Sequence, residues 1–215
     1  MPSRNVVKIY KENGFYHIYN RGVEKRKIFL DKNDYSIFTY LMQRCLDPKL
    51  KVSPNGLINL HSIADEAYLV SYCLMPNHFH FLIKQKTKDA VTKLLRRVLS
   101  SYVYYFNRKY EREGSLFQGK PRGTLIQDEA YLLHLSRYIH LNPSEIIGKR
   151  LLESYPYSSY PIYLGLIKTW INPHCILAFF KSRQKNTLQK FLSYQNFVEG
   201  YKKDPKDILG ELTLD

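Results

Sequence analysis

Residues 57–85, "LINLHSIADEAYLVSYCLMPNHFHFLIKQ", constrain the fold more than any other stretch. They are rich in strand formers and break at Met75-Pro76-Asn77, which reads as two neighbouring strands joined by a tight turn. Residues 57–63 are left open as a further strand. The flanks alternate in type. "FYHIYNRG" (15–22) alternates in strand fashion and ends at Gly22, while residues 32–46 place Tyr35, Phe38, Leu41, Met42 and Cys45 at helical spacing. After the hairpin, residues 89–113 carry Val91, Leu94, Leu95, Val98, Tyr102 and Phe106 on one helical face, with Gly114 to close it. Residues 115–126 form a loop and strand, and 128–143 a helix with Asp128 as N-cap and Pro143 near its stop. The order β-α-β-β-α-β predicts an α+β, ferredoxin-like sandwich: one antiparallel sheet with helices packed on a face. Residues 155–165 are punctuated by proline, and 173–203 read as one or two amphipathic helices. The expected organisation is therefore a domain over 1–165 and a helical extension over 166–215.

Charge narrows the partner. The 215 residues hold 33 Lys plus Arg against 19 Asp plus Glu, a formal net charge of +14, so a polyanion is the first partner to consider. No run approaches the roughly 18 apolar residues of a spanning helix, and "MPSRNVVKIYKENG" has no apolar signal core. Cys45, Cys73 and Cys175 lie at long spacings without a CxxC, which indicates neither a zinc knuckle nor a disulfide framework. A soluble, cytoplasmic protein is expected.

Two constellations carry chemistry. In a strand, His78 and His80 fall on one face and Phe79, Phe81 and Ile83 on the other, core-facing one. The histidine Cα atoms then sit about 6.6–7 Å apart, within reach of one metal ion. Satisfied polar histidines on a sheet face fit the same spacing, and a zinc site would need a further ligand; His17 and His61 are the imidazoles that the sheet can bring near. On the following helix His134, Tyr138 and Asn142 recur every four residues along nearly one face. Tyr138 offers a hydroxyl that can act as a covalent nucleophile, and Asn142 an amide oxygen that can complete a metal shell. Packing and a helix stop at Asn142-Pro143 explain the same residues without chemistry. The reaction that would use both constellations is phosphodiester transfer: metal polarises a phosphate oxygen while the phenolate attacks phosphorus and a 3′-OH leaves.

Five ordered blocks, "YHIYNRGVEKRKIF" (16–29), "YCLMPNHFHFLI" (72–83), "SLFQGK" (115–120), "DEAYLLHLSRYIHLNP" (128–143) and "YPYSSYPIYLG" (155–165), resemble the single-tyrosine HUH transposases, specifically the REP-associated tyrosine transposases. That resemblance implies Mg²⁺- or Mn²⁺-dependent cutting and joining of single-stranded DNA at hairpin-bearing ends. It puts His78 and His80 on the metal pair, Tyr138 on the nucleophile and Asn142 on the third ligand. One departure is that Pro121-Arg122-Gly123 follow "FQGK", where the family often has an aromatic and a basic residue. His134 has no assigned role, and His140 reads as a packing or DNA-facing residue.

Candidate phosphate contacts are Arg21, Lys25, Arg26 and Lys27 after the first strand, Lys120 and Arg122 in the loop, and Arg137 beside the tyrosine. A non-catalytic DNA or RNA hairpin-binding module on the same fold is the alternative, and a zinc hydrolase acting on small substrates leaves the charge unexplained. Monomer and homodimer are both compatible with the sequence.

Overall fold

The computed structural model describes residues 11–52, 59–181 and 193–200. Four strands build one antiparallel sheet: β1 (Phe15–Arg21), β2 (Ala67–Met75), β3 (His78–Gln85) and β4 (Arg122–Ile126), in the order β2-β3-β1-β4. This is the expected ferredoxin-like α+β arrangement. The hairpin turn falls at Pro76-Asn77. Residues 59–66 form turns and no strand, and residues 57 and 58 lie outside the described residues.

Helices α1 (Lys32–Leu46) and α2 (Ala90–Lys109) cover one face. Asp31 and Asp34 close a reciprocal capping box at the start of α1, which satisfies backbone N–H groups that the helix itself leaves open. Asp34 also accepts from Tyr105 and Tyr110 and pairs with Lys109 at 2.8 Å, fastening the end of α2 to the start of α1. The helix ends there at Lys109, short of residue 113; Glu111 already has φ 49° and Gly114 φ 81°. Between these helices and the sheet lies an apolar core that includes Tyr16, Ile18, Phe38, Phe79, Phe81, Ile83 and Tyr102.

The second face is also roofed, which the sequence reading of helices on one face leaves out. Helix α3 (Glu129–Leu141), capped by the Asp128 carboxylate on Tyr131 N at 2.8 Å, lies across it. Short helices α4 (Ser144–Ile147) and α5 (Tyr160–Tyr163) follow, then α6 (His174–Lys181) and α7 (Tyr194–Glu199). The two helices expected over 173–203 are thus present, with residues 182–192 and 201–203 outside the described ones. Ile176, Tyr194, Phe197 and Val198 join α3 and Val70, Cys73 and Leu82 of the sheet in a second buried cluster. The described parts of the 166–215 extension therefore complete this core. A register shift between Leu69 and Ser71 switches the alternation of β2: Ala67 and Leu69 face the first core before it, Tyr72 and Leu74 after it, while Val70, Cys73 and Met75 face the second.

Candidate functional site

Strand alternation puts His78 and His80 on the α3 side while Phe79 and Phe81 fill the opposite core. The face opposite the phenylalanines is itself covered: α3 lies over it, His80 is fully buried and His78 half-buried. Tyr138 projects from α3 onto the pair, its ring edge-on to His80 with centroids 5.2 Å apart, and it too is nearly buried. Asn142, the C-cap of α3, brings its Oδ1 to 3.3 Å from His78 Nε2. Four residues that are up to 64 positions apart in sequence thus meet in one place.

Hydrogen bonds at the site fix which atoms face each other. Asn77 Nδ2 donates to Lys25 O at 3.3 Å, so its Oδ1 accepts from His78 Nδ1 at 2.7 Å. Asn142 Nδ2 donates to Tyr138 O at 2.8 Å, which aims its Oδ1 at His78 Nε2. Burial, together with the Arg21 charge and against the Asn142 contact, lowers the His78 pKa and favours the neutral ring. A neutral His78 with its proton on Nδ1 turns a lone pair on Nε2 toward a carbonyl oxygen. Two acceptors in apposition are what a cation would relieve. His80 Nε2 is buried with no hydrogen-bond partner among the described residues, and burial first, then the neighbouring His78 and His17, holds the His80 pKa well below its ordinary value. Two imidazole nitrogens and one amide oxygen therefore fit a divalent ion. Among the described residues no three His, Cys, Asp or Glu side chains converge as a ligand set, and the further oxygen donor beside the pair is Asn142 Oδ1.

His17 does reach the pair: its Nε2 lies 3.0 Å from His80 Nδ1. His61 does not; it is exposed, and its carbonyl accepts from Arg97. His134 contacts Arg137 and the Phe197 ring. His140 is a packing residue, fully buried and hydrogen-bonded to Tyr194 Oη and Ser159 Oγ, each at 2.7 Å. Arg137 is a correction. It is only 1% exposed and lies over the Phe197 ring at 4.4 Å, so it anchors α7 to α3 and is not presented to a phosphate. Helical periodicity placed Arg137 beside Tyr138, yet the extension covers that side of α3.

The other candidate cations gather at one end of the sheet. Arg21 ends β1 directly opposite His78, and Arg122 begins β4 opposite Tyr19. Lys25 and Arg26 follow in the turn after β1, held against the hairpin by Gly22 N to Asn77 O at 2.8 Å. Lys120 sits in the loop that Asn20 and Gln118 tie to β1, through Asn20 Nδ2 to Gly119 O and Gln118 N to Arg21 O. Lys25, Lys27 and Lys120 are exposed; Arg21, Arg26 and Arg122 are half-buried. Gly22 is required in this turn because a Cβ there would meet Arg26 O at 2.2 Å. Sequence reasoning missed Asn77; its place one residue before His78 in a turn was the available signal.

The family model for transposases of the IS200-like type matches residues 43–142, a window that holds His78, His80 and Tyr138 and closes on Asn142. This stretch is similar to IS200-like transposases. No curated protein matches the chain. The fold is similar to that of a REP-associated tyrosine transposase solved bound to a REP hairpin, with TM-score 0.53, 13% identity, and coverage of 77% of this chain and 89% of that one. The transposase window starts inside α1, so β1 with His17 and Arg21 lies outside it. No helix among the described residues is long and apolar enough to cross a membrane.

Proposed function

We propose that this chain cuts and rejoins single-stranded DNA at hairpin-forming sites, through a covalent 5′-phosphotyrosine on Tyr138 and with a divalent metal, Mg²⁺ or Mn²⁺, held by His78, His80 and Asn142. The observation that carries the reading is the meeting of Tyr138 with His80, 5.2 Å between ring centroids, beside the apposed His78 Nε2 and Asn142 Oδ1. The transposase window over 43–142 and the hairpin-bound transposase of similar fold support the same direction.

When bound, the metal would polarise a non-bridging phosphate oxygen and offset charge gathering there. Tyr138 Oη gives up its proton and attacks phosphorus; the P–O3′ bond breaks, and the 3′ oxygen takes up a proton as it leaves. The phosphotyrosine keeps the bond energy, so a second 3′-OH can reverse the step and join a different end without a nucleotide cofactor. The burial of Tyr138 and His80 between α3 and the sheet limits the access of water to the phosphotyrosine. Arg21, Lys25, Arg26, Lys120 and Arg122 at the sheet end would take the flanking phosphates, and binding should weaken steeply with salt as counterions are released.

The test is a 3′-labelled, hairpin-bearing oligonucleotide incubated with the chain and Mn²⁺. A labelled protein adduct that survives denaturant is expected from the unaltered chain and absent from Tyr138→Phe. An adduct on Tyr138→Phe would remove Tyr138 from the role. Salt-sensitive hairpin binding with no cleavage across several hairpins would instead make the chain a binding module.

A further inference from the structure

The α3 face of the sheet holds a row of buried polar groups that the proposed reaction does not use. His17 Nδ1, Tyr19 Oη and Thr124 Oγ1, like His80 Nε2, have no hydrogen-bond partner among the described residues. Buried polar atoms are paired in the great majority of cases, so several orphans on one face mark a place built for something other than packing. His17 links this row to the metal candidates. Its Nε2 and His80 Nδ1 are 3.0 Å apart with the two rings only 17° from parallel, and one proton lies between them. At that separation the ring nitrogen of His17 can accept a proton carried by His80 Nδ1.

We propose that His17 is a positioning residue: by accepting the Nδ1–H of His80 it holds that imidazole in the tautomer whose Nε2 lone pair is free to bind a divalent cation. This rests on the reading of His78, His80 and Asn142 as ligands. The opposite placement, with the proton on His17 Nε2, would put a hydrogen on His80 Nε2, where it has no acceptor and where no metal could bind. With the proton on His80 Nδ1, the remaining N–H of His17 is on Nδ1, which has no partner among the described residues but shares its face with the equally unpartnered hydroxyls of Tyr19, two residues along β1, and Thr124, its register partner in β4, while His80 Nε2 is left free for a metal. Metal-bound imidazoles are generally steered in this way by an acceptor on the far nitrogen, most often a carboxylate or a carbonyl. Here a second imidazole occupies that position, and the strand period of two delivers it from β1.

Two measurements test this. Long-range ¹H–¹⁵N spectra of the metal-free, histidine-labelled chain should show His80 protonated on Nδ1; protonation on Nε2 would overturn the proposal even if no variant folds. Mn²⁺ titrations followed by electron paramagnetic resonance should show His17→Phe binding about 10- to 100-fold more weakly, and His17→Gln, which keeps an acceptor, recovering much of that loss. Normal Mn²⁺ affinity in a folded His17→Phe chain overturns the positioning role alone. A chain that binds no Mn²⁺ even unaltered overturns the ligand reading, and this inference with it.

Discussion

The two faces of one sheet are built on different terms. On the α1/α2 side, Phe79 and Phe81 of β3 pack against Phe38, and the aromatic rings of Phe29, Tyr35 and Tyr102 extend the cluster. Even Tyr102, fully buried there, spends its hydroxyl on Ile28 O. On the α3 side, alternate residues of the same strands are His17, Tyr19, His78 and His80, several with atoms left without partners. Non-directional apolar burial can hold one face together almost regardless of detail. The other face depends on hydrogen-bond geometry and tolerates unsatisfied groups that would be selected against in a purely structural core.

Adjacent residues of β3 offer the sharpest way to break this contrast. Replacing His78 and His80 together by Ala should lower metal-dependent cleavage by about 10³-fold or more, the scale on which loss of a principal electrostatic stabiliser acts. Urea unfolding should shift by less than it does for loss of a large core ring, because the pair gives up the His80–His17 and His78–Asn77 hydrogen bonds, about 1 kcal/mol each. Phe81→Ala, one residue away and facing the other side, should instead destabilise by about 3–5 kcal/mol, since it leaves a cavity among large aromatic neighbours. Equal stability losses for the two variants would mean that the faces are not distinct.

The same contrast explains what the sequence made legible. Period-two alternation in 78–83 and the break at Pro76 give the hairpin and the division of histidines from phenylalanines, and α1 falls on 32–46 as its apolar spacing predicts. Tyr138 and Asn142 were visible as residues one helical turn apart. Their meeting with His78 was not, because the path of α3 over the sheet is set by long-range packing with Tyr194, Phe197 and Val198, which no local pattern encodes. Arg137 failed for the same reason: helical spacing shows which residues share a side of α3, but not which side the extension covers. His17 was a candidate only through the sheet, and the β1–β3 register made it a neighbour of His80.

Acid should act on the α3 face first. The His17 and His140 pKa values are each lowered from 6.5 to about 3 by burial. In the unfolded chain these rings take up protons below pH 6.5, whereas the folded state refuses them until near pH 3. Their contribution is therefore fully present above pH 6.5 and is lost as pH falls between those values, at up to about 2.7 kcal/mol per pH unit for the two together. Urea midpoints measured from pH 7 to pH 4 should fall at least that steeply, since burial lowers the pKa values of His78, His80 and His134 as well. His140→Gln should remove about half of the share due to His17 and His140, and a flat profile would mean that these rings are not held neutral.

The smallest expected effect isolates the hydrogen bonds that hold α3 in place. Tyr194 Oη contacts His140 Nδ1 at 2.7 Å and Ser136 Oγ at 3.1 Å, both on the buried side of α3. Tyr194→Phe keeps the ring among Tyr163, Phe180 and Phe197 and deletes only the hydroxyl. Leaving His140 and Ser136 short of a partner should destabilise by about 1–3 kcal/mol, much less than the Phe81 cavity. Its effect on cleavage is the more telling quantity, because α3 carries both Tyr138 and Asn142. If polar contacts set the position of α3, cleavage by Tyr194→Phe should fall several-fold under conditions where the chain remains fully folded. Unchanged cleavage would show that apolar packing alone suffices to seat this helix, and the two faces of the sheet would then differ in chemistry but not in how they are held.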